Sequence, residues 1–366
     1  MNYRLLFTFC ILLSTFLNIQ ASPVKKLEGP KKIIIDTDGG GDDVTAILLA
    51  LNYEAMHKDK IKIIAITCVY GNTEEVNVEL NILKTLTVAK RSDIPVYAGA
   101  TRALINFRKG IPVFGNDGLG DVVFTEEIIA EVNRSSVAAV ALMDLIKLYP
   151  GEVTLIAIGP VINLALAARL DSTFMGNLGD LIIMGSCIAG IGNEMPNVEF
   201  NFAIDPESNF IVMNSTTKPC TLLPWETVLN YQAGKEWRMN VFAKLNSPSV
   251  EFLNKVEAAF LAKVTKWTTV DTVAVAFAIW PEIIKNFTIT NVTPVYDGAG
   301  KGSVLVDYRN KTGKPSNAKI INSYDVEMFK EKLIIYFSDQ NKSGIDFVTA
   351  ENKPMSKERG GHYNIN

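Results

Sequence analysis

Short apolar runs alternate with longer helix-like segments along the chain from Lys31 onward. The short runs are rich in Ile, Val and Leu without polar alternation, which is typical of strands that are covered on both faces. They comprise residues 32–35, 61–69, 95–98, 153–158, 181–184 and 221–223. The helix-like segments between them comprise residues 42–56, 74–89, 136–148, 162–169 and 206–213. This repetition predicts a Rossmann-like α/β fold in which helices cover both faces of a mostly parallel central sheet.

The last third of the chain follows a different order. Further helical patterns lie at residues 246–266, 272–277 and 325–337. Small extra strands, which we expect as a hairpin set at one edge, are predicted at residues 292–296, 303–308 and 318–322. Because no repeat or low-complexity linker marks a boundary, we predict one catalytic domain over residues 31–340. Residues 351–366 are polar and are predicted to form a disordered tail.

The N-terminal segment has the features of a secretory signal. Residues 1–4 end in one positive charge, and residues 5–19 are mostly apolar. Small residues follow, so we predict a signal peptide over residues 1–21 that is cleaved after Ala21, with an uncleaved anchor as the alternative. N-x-[ST] sequons occur at Asn133, Asn214, Asn286, Asn291, Asn310 and Asn341. We therefore expect a secreted, extracellular glycoprotein that has no membrane attachment after cleavage.

The net charge indicates the kind of partner, and the cysteine content indicates the kind of metal site. The net charge is -3, and the basic residues are spread along the chain rather than gathered in a patch. This pattern argues against nucleic acid as a partner and favours a small molecule. Of the four Cys residues, Cys68 lies in an apolar run and is predicted to be buried. No Cys/His spacing typical of a zinc site is present.

An acidic turn follows the first predicted strand. Residues 36–43 read Asp-Thr-Asp-Gly-Gly-Gly-Asp-Asp, so four carboxylates lie within eight residues. Carboxylates this close repel one another unless a cation lies among them, and glycines let the backbone fold around such an ion. Oxygen ligands without Cys or His favour Ca²⁺ or Mg²⁺. Helix capping is the alternative, but it would explain only one or two of the four carboxylates.

The pattern Asp-x-Asp-x-Gly-x-Asp-Asp resembles the first-strand motif of the inosine–uridine-preferring nucleoside hydrolases. Gly39 departs from that motif, since the family often has Pro there. Six more segments resemble the family in the same order, at residues 67–72, 93–100, 116–120, 158–165, 193–201 and 270–276. The resemblance implies a nucleoside hydrolase fold that uses Ca²⁺ to cleave ribonucleosides into free base and ribose. It leaves open whether the protein is a homodimer or a homotetramer.

The same resemblance assigns roles to individual residues. It implies calcium ligands at Asp38, Asp43, Asp271 and the backbone carbonyl of Ile158. Asp38 would also take the proton of the attacking water, and Asp36 would support the turn from behind. The implied ribose-binding residues are Asp42, Asn72, Asn193, Glu199 and Asn201. For Glu199 and Asn201, an ordinary loop cap is the alternative role.

The leaving base has no obvious proton donor. Val270 and Phe114 stand where many family members have His. The chain has only His57 and His362, and both are expected to be solvated surface residues. Aromatic stacking could instead help a purine to leave. We therefore predict a purine-preferring enzyme whose base pocket includes Phe114, Trp225 and Trp267, with Phe107 and Tyr231 as further aromatic candidates.

Two other functions fit parts of the sequence. A relative that lacks the leaving-group His could be a non-catalytic, secreted nucleoside-binding protein of the same fold. The Asp-x-Asp start also occurs in haloacid-dehalogenase-like phosphatases. That signature needs Thr or Val two residues past the second Asp, where this chain has Gly40.

Overall fold

The computed structural model of the protein describes residues 29–105 and 113–338. In chain order the strands are β1 (Lys31–Thr37), β2 (Ile61–Cys68), β3 (Val96–Tyr97), β4 (Val153–Ala157), β5 (Asp180–Met184), β6 (Cys220–Leu223), β7 (Ile284–Thr290), β8 (Val292–Pro294), β9 (Val304–Val306) and β10 (Ala318–Tyr324). The α-helices are α1 (Gly41–Met56), α2 (Glu75–Val88), α3 (Ala138–Leu148), α4 (Ile162–Leu170), α5 (Phe174–Asn177), α6 (Phe200–Ile204), α7 (Pro206–Ser215), α8 (Trp225–Asn230), α9 (Lys235–Asn240), α10 (Pro248–Val256), α11 (Ala258–Lys263), α12 (Val270–Ile279) and α13 (Val326–Phe337). Short 3-10 helices lie at Phe242–Lys244, Pro281–Ile283 and Gly298–Gly300.

The main sheet has eight strands in the order β3-β2-β1-β4-β5-β6-β10-β7. Its pairs are parallel except for the antiparallel pair of β10 and β7. The chain steps from β1 through β2 to β3 on one side and then returns to β4 on the other side of β1. In a parallel sheet, such a reversal opens a crevice at the carboxyl ends of the two neighbouring strands. The predicted α/β fold with a mostly parallel sheet is confirmed.

The sheet is buried because its strands carry apolar side chains on both faces. Ile33 and Ile35 of β1 belong to one core cluster, together with the apolar residues of α1 and α12. Ile34, on the opposite face, belongs to a second cluster that includes Leu164 of α4. Successive side chains of a strand point to opposite faces, so an uninterrupted apolar run requires helices on both sides.

The C-terminal strands differ from the prediction. Strands β8 and β9 form the expected small hairpin, but β10 lies inside the main sheet, parallel to β6. Strand β7 was not predicted, because it lies at the sheet edge and exposes residues such as Phe287 and Ile289. Residues 246–266 contain two helices rather than one, and the break falls at Glu257, whose buried carboxylate accepts a hydrogen bond from Arg238 Nε at 2.7 Å.

Several predictions concern residues outside the described ranges. These are the signal peptide or anchor, the polar tail, Phe107, Asn341 and His362. Within the described ranges, no helix combines the length and apolar character needed to span a bilayer. Cys68, Cys187 and Cys220 are buried free thiols, which confirms the prediction for Cys68.

Candidate active site

A cavity of about 270 Å³ opens at the carboxyl ends of β1, β2, β4 and β5. One part of its lining, which we call the acidic set, consists of Asp38, Asp42 and Asp271. A second part, which we call the aromatic set, consists of Phe114, Phe200, Trp225 and Phe260. The other lining residues are Asn72, Val113, Ile158, Met184, Asn193, Glu194, Glu199, Asn201, Val264, Thr268 and Val270.

Asp36 and Asp38 occupy different positions at the end of β1. Asp36 is fully buried and does not line the cavity; its Oδ1 accepts hydrogen bonds from Thr67 Oγ1 at 2.5 Å and Asn163 Nδ2 at 2.8 Å. Burial raises its pKa to about 7. Asp38 reaches the cavity, and its Oδ2 accepts a hydrogen bond from the Asn72 backbone N–H at 2.8 Å. A side chain at Gly71 would overlap Asp38 Oδ2, so this approach requires glycine.

Asp43 organises the turn into α1. Its Oδ1 accepts from Thr37 Oγ1 at 2.5 Å and from the Asp38 N–H at 3.2 Å. Its Oδ2 accepts from the Gly40 N–H at 2.9 Å and Asn72 Nδ2 at 3.2 Å. Capping is therefore one role of this residue, as the alternative interpretation expected. A carboxylate offers about four acceptor positions, so a metal bound by Asp43 would share or displace one of these bonds.

Asp271 lies in the first turn of α12 and comes from far away in the sequence. Carboxylate oxygens of Asp42, Asp43 and Asp271 lie within 4.8 Å of one another. Asp271 Oδ1 is buried and has no hydrogen-bond partner among the described residues. Burial, followed by repulsion from Asp42, Asp43 and Asp38, raises the pKa of Asp271 well above its usual value. Burial and the charge of Asp43 also raise the pKa values of Asp38 and Asp42.

This arrangement fits a divalent cation. No Lys, Arg or His among the described residues lines the cavity, so no cationic side chain of the described residues neutralises the carboxylates there. A buried carboxylate oxygen without a partner is costly unless a cation binds it. The available donors are all oxygen atoms, which Ca²⁺ and Mg²⁺ prefer. The three carboxylates that lie within 4.8 Å of one another include Asp42. The family resemblance instead assigned Asp38 to the metal and Asp42 to ribose, so this division of roles stays a prediction.

The predicted ribose-binding residues all line the same cavity. Asn193 Oδ1 accepts from the Phe200 N–H at 2.9 Å, and Asn201 Nδ2 donates to the Ile158 carbonyl at 3.1 Å. Glu199 caps α6 by accepting from the backbone N–H groups of residues 201 and 202. Burial raises the pKa of Glu199 to about 7. Glu199 therefore performs the capping role that was the alternative, while its side chain also borders the cavity.

The aromatic set agrees only partly with the sequence prediction. Phe114 and Trp225 line the cavity as expected. Trp267 does not, so its place in the base pocket is wrong: it is 1% exposed, and its Nε1 donates to Glu257 Oε1 at 3.1 Å. Phe260, whose ring centroid lies 4.8 Å from that of Phe114, was missed. Thr268, next to Trp267, lines the cavity in its place.

Comparison with known proteins places the chain in a family. The family model "Inosine-uridine preferring nucleoside hydrolase" matches residues 33–331. The chain belongs to this family. A probable uridine nucleosidase 2 of Arabidopsis thaliana is 40% identical over 185 residues, which cover 50% of this chain and 55% of that protein, so the match spans about half the length of that relative.

Other relatives match over most of their length. An inosine-uridine preferring nucleoside hydrolase of Leishmania major is 28% identical over 308 residues, covering 82% of this chain and 95% of that protein. A solved structure of an inosine-guanosine nucleoside hydrolase superposes with a TM-score of 0.75 at 30% identity, covering 84% of this chain and 98% of the other. The family assignment replaces the phosphatase alternative.

The structure gives a context to two departures from the nucleoside hydrolase motif, Gly39 and Val270, and to the expectation that His57 is solvated. Gly39, which stands where the family often has Pro, has a φ of 65°, and Pro cannot adopt this value. His57 was expected to be solvated, but it is half-buried, and its Nε2 lies 3.0 Å from Tyr336 Oη at the far end of α1. Val270 borders the cavity where many members have His. Within the described residues, the site thus has no imidazole for the leaving base.

Proposed function

We propose that this nucleoside hydrolase family member uses Ca²⁺ to hydrolyse the N-glycosidic bond of ribonucleosides, giving free base and ribose. The observation that carries the proposal is the acidic set. The buried carboxylates of Asp38 and Asp271, the latter with an unpartnered oxygen, and the half-buried carboxylate of Asp42 share a cavity with the amide side chains of three asparagines, Asn72, Asn193 and Asn201. Such amides and carboxylates are suited to the hydroxyls of a sugar.

The residues of the acidic set have complementary roles in this proposal. A bound Ca²⁺, held by Asp38, Asp43, Asp271 and the Ile158 carbonyl, would orient the ribose diol and lower the pKa of the attacking water. Asp38 accepts the proton of that water, and the N–H of Asn72 holds its carboxylate in place. The negative carboxylates stabilise the positive charge that develops on the sugar as the bond breaks.

We further propose that the enzyme prefers purine nucleosides. The aromatic set offers ring faces for a base, and no His within the described residues is placed to protonate it. A stacked purine can be protonated at N7 by solvent, whereas a pyrimidine depends more on a donor. Val270→His, which adds a donor at the cavity wall, should therefore raise kcat/KM for uridine more than for inosine.

One assay tests both proposals. Inosine, adenosine, guanosine, uridine and cytidine are incubated with pure protein, and release of base and ribose is followed with calcium and with a chelator. We expect release that stops on chelation and is fastest with purine nucleosides. Binding of inosine without release of base would instead support the non-catalytic alternative, and equal kcat/KM for uridine and inosine would contradict the purine preference.

We also propose that the mature protein is secreted and N-glycosylated. Among the sequons in the described residues, Asn214, Asn286 and Asn310 are exposed. Asn291 is 9% exposed, and its Nδ2 donates to the Pro315 carbonyl at 2.8 Å, so a glycan there would disrupt this contact. Mass spectrometry of the native protein should find an N-terminus near Ser22 and glycans at the three exposed sites. A native product that begins at Met1 and carries no glycan would contradict the proposal.

A further inference from the structure

The segment from Gly185 to Glu199, which we call the site loop, joins β5 to α6 and brings Asn193 and Glu194 to the cavity. Its backbone is not in a relaxed conformation. Ser186 has a φ of 77° and Asn197 a φ of 61°, values that residues other than glycine rarely adopt. Such conformations persist only where surrounding contacts hold them, so something must fix this loop.

Glu226, in the first turn of α8, provides such contacts. Glu226 is buried, with an exposed fraction of 3%. Its Oε1 accepts hydrogen bonds from the N–H groups of Ile188 at 3.1 Å, Ala189 at 2.8 Å and Ile191 at 3.2 Å, and its Oε2 accepts from Ile188 at 3.1 Å. No Lys or Arg of the described residues forms an ion pair with it. The backbone of the site loop thus takes the place of a cation for this buried carboxylate.

The same turn of α8 also touches the site loop through its backbone. The N–H of Trp225 donates to the carbonyl of Ser186 at 3.1 Å, while the Trp225 side chain lines the cavity. Residues 225 and 226 therefore connect the site loop to the aromatic set. A movement of the loop away from Glu226 would displace Asn193 and Glu194 relative to Trp225.

We propose that Glu226 is a positioning residue, which holds the site loop so that Asn193 and Glu194 face the substrate beside Trp225. The kinetic consequence rests on the proposed nucleoside hydrolysis, whereas the structural one does not. A neutral Gln replaces the carboxylate poorly, because its oxygen lacks the charge that strengthens the bonds from three N–H groups and its amide N–H₂ would face the N–H of Ile188. The acidic set lies on other elements, so calcium binding should not depend on Glu226.

The first experiment measures amide exchange in the wild-type protein at single-residue resolution. We expect the amides of Ile188, Ala189 and Ile191 to exchange at least tenfold more slowly than that of Gly190. Gly190 lies between them and donates to no described residue, so it is an internal control. Equal exchange at all four positions would overturn the proposal, whether or not any variant folds.

The second experiment compares Glu226→Gln with Glu236→Gln, a matched change at an exposed position of α9. In Glu226→Gln the three amides should lose protection, and kcat/KM for inosine should fall at least tenfold, mainly through KM. Calcium affinity should change less than twofold, which a general loss of structure would not allow. Unchanged KM with lost protection would refute the positioning role. If wild-type protein releases no base, the proposed function fails, and the exchange measurement alone decides the contacts of Glu226.

Discussion

The acidic set and the aromatic set line one cavity but are built in different ways. The acidic residues follow β1 or lie in the first turns of α1 and α12. The aromatic residues come from short helices such as α8 and α11, and from the chain near residue 114. The first group is attached to the buried sheet and to long helices, the second to short peripheral elements. Elements at the centre of the fold are the more precise support for a metal and its substrate.

This difference suggests a division of labour. Binding a cation and a sugar requires several charged groups at fixed distances, so small errors of position are costly. Stacking on a base tolerates more variation, since each base has a flat apolar face. We infer that the acidic set carries the reaction and that the aromatic set adjusts which base is accepted. Variants of each set should therefore fail in different ways.

The largest effect is expected from Asp38→Asn. This change keeps the size of the side chain but removes the group that accepts the water proton, so kcat should fall roughly 1,000-fold, as is common for a lost general base. The measurement is steady-state release of base from inosine at saturating calcium. Asp144→Asn, at an exposed position of α3, is the control and should keep its activity. A kcat within threefold of wild type would contradict the role of Asp38.

Asp271→Asn should mainly weaken the binding of calcium. Calcium affinity should weaken roughly 100-fold, because the charge of the ligands sets affinity. In the chelated protein the same change removes one of several repelling carboxylates, so it should raise the melting temperature. With calcium at 100 times the wild-type Kd, the variant should instead lose about 2.3 kcal/mol of ligand-derived stability, because calcium at that concentration only equals its own weakened Kd. Thermal unfolding with calcium and with chelator checks both signs, and a change of equal sign in both would be inconsistent with a metal site.

What the sequence could predict follows the same division. The apolar runs located six strands of the main sheet because most side chains of these strands are buried, and the acidic turn located Asp38, Asp42 and Asp43 beside them. Asp271 was found only through its resemblance to a family motif. Strand β7 is mostly exposed, since residues 285–287 and Ile289 all lie at the surface, so its pattern carries no signal of burial. Phe260 was missed because one aromatic residue in a short amphipathic helix gives no indication of which side it faces.

Trp225→Ala should have an intermediate effect. Loss of a stacking ring costs about 1–3 kcal/mol per base in proteins that bind nucleobases, so kcat/KM for inosine should fall roughly tenfold. Uridine, with a smaller ring, should lose less, and the ratio of purine to pyrimidine cleavage should fall. Calcium affinity, measured by titration, should not change, because the acidic set is intact. An unchanged ratio of inosine to uridine cleavage would remove Trp225 from the base pocket.

The smallest effect on the reaction is expected from Trp267→Phe. The Trp267 indole is enclosed by core residues, stacks on Trp237 with ring centroids 6.2 Å apart, and donates to Glu257. Phe keeps an aromatic ring but leaves that buried carboxylate with one donor fewer, so the free energy of unfolding should fall by about 1–3 kcal/mol. The ratio of inosine to uridine cleavage should match that of the wild type, because the side chain does not reach the cavity. Denaturant unfolding and the two kcat/KM values test this together. If the ratio changed while stability did not, Trp267 would contact the base after all and would belong to the aromatic set rather than to the core.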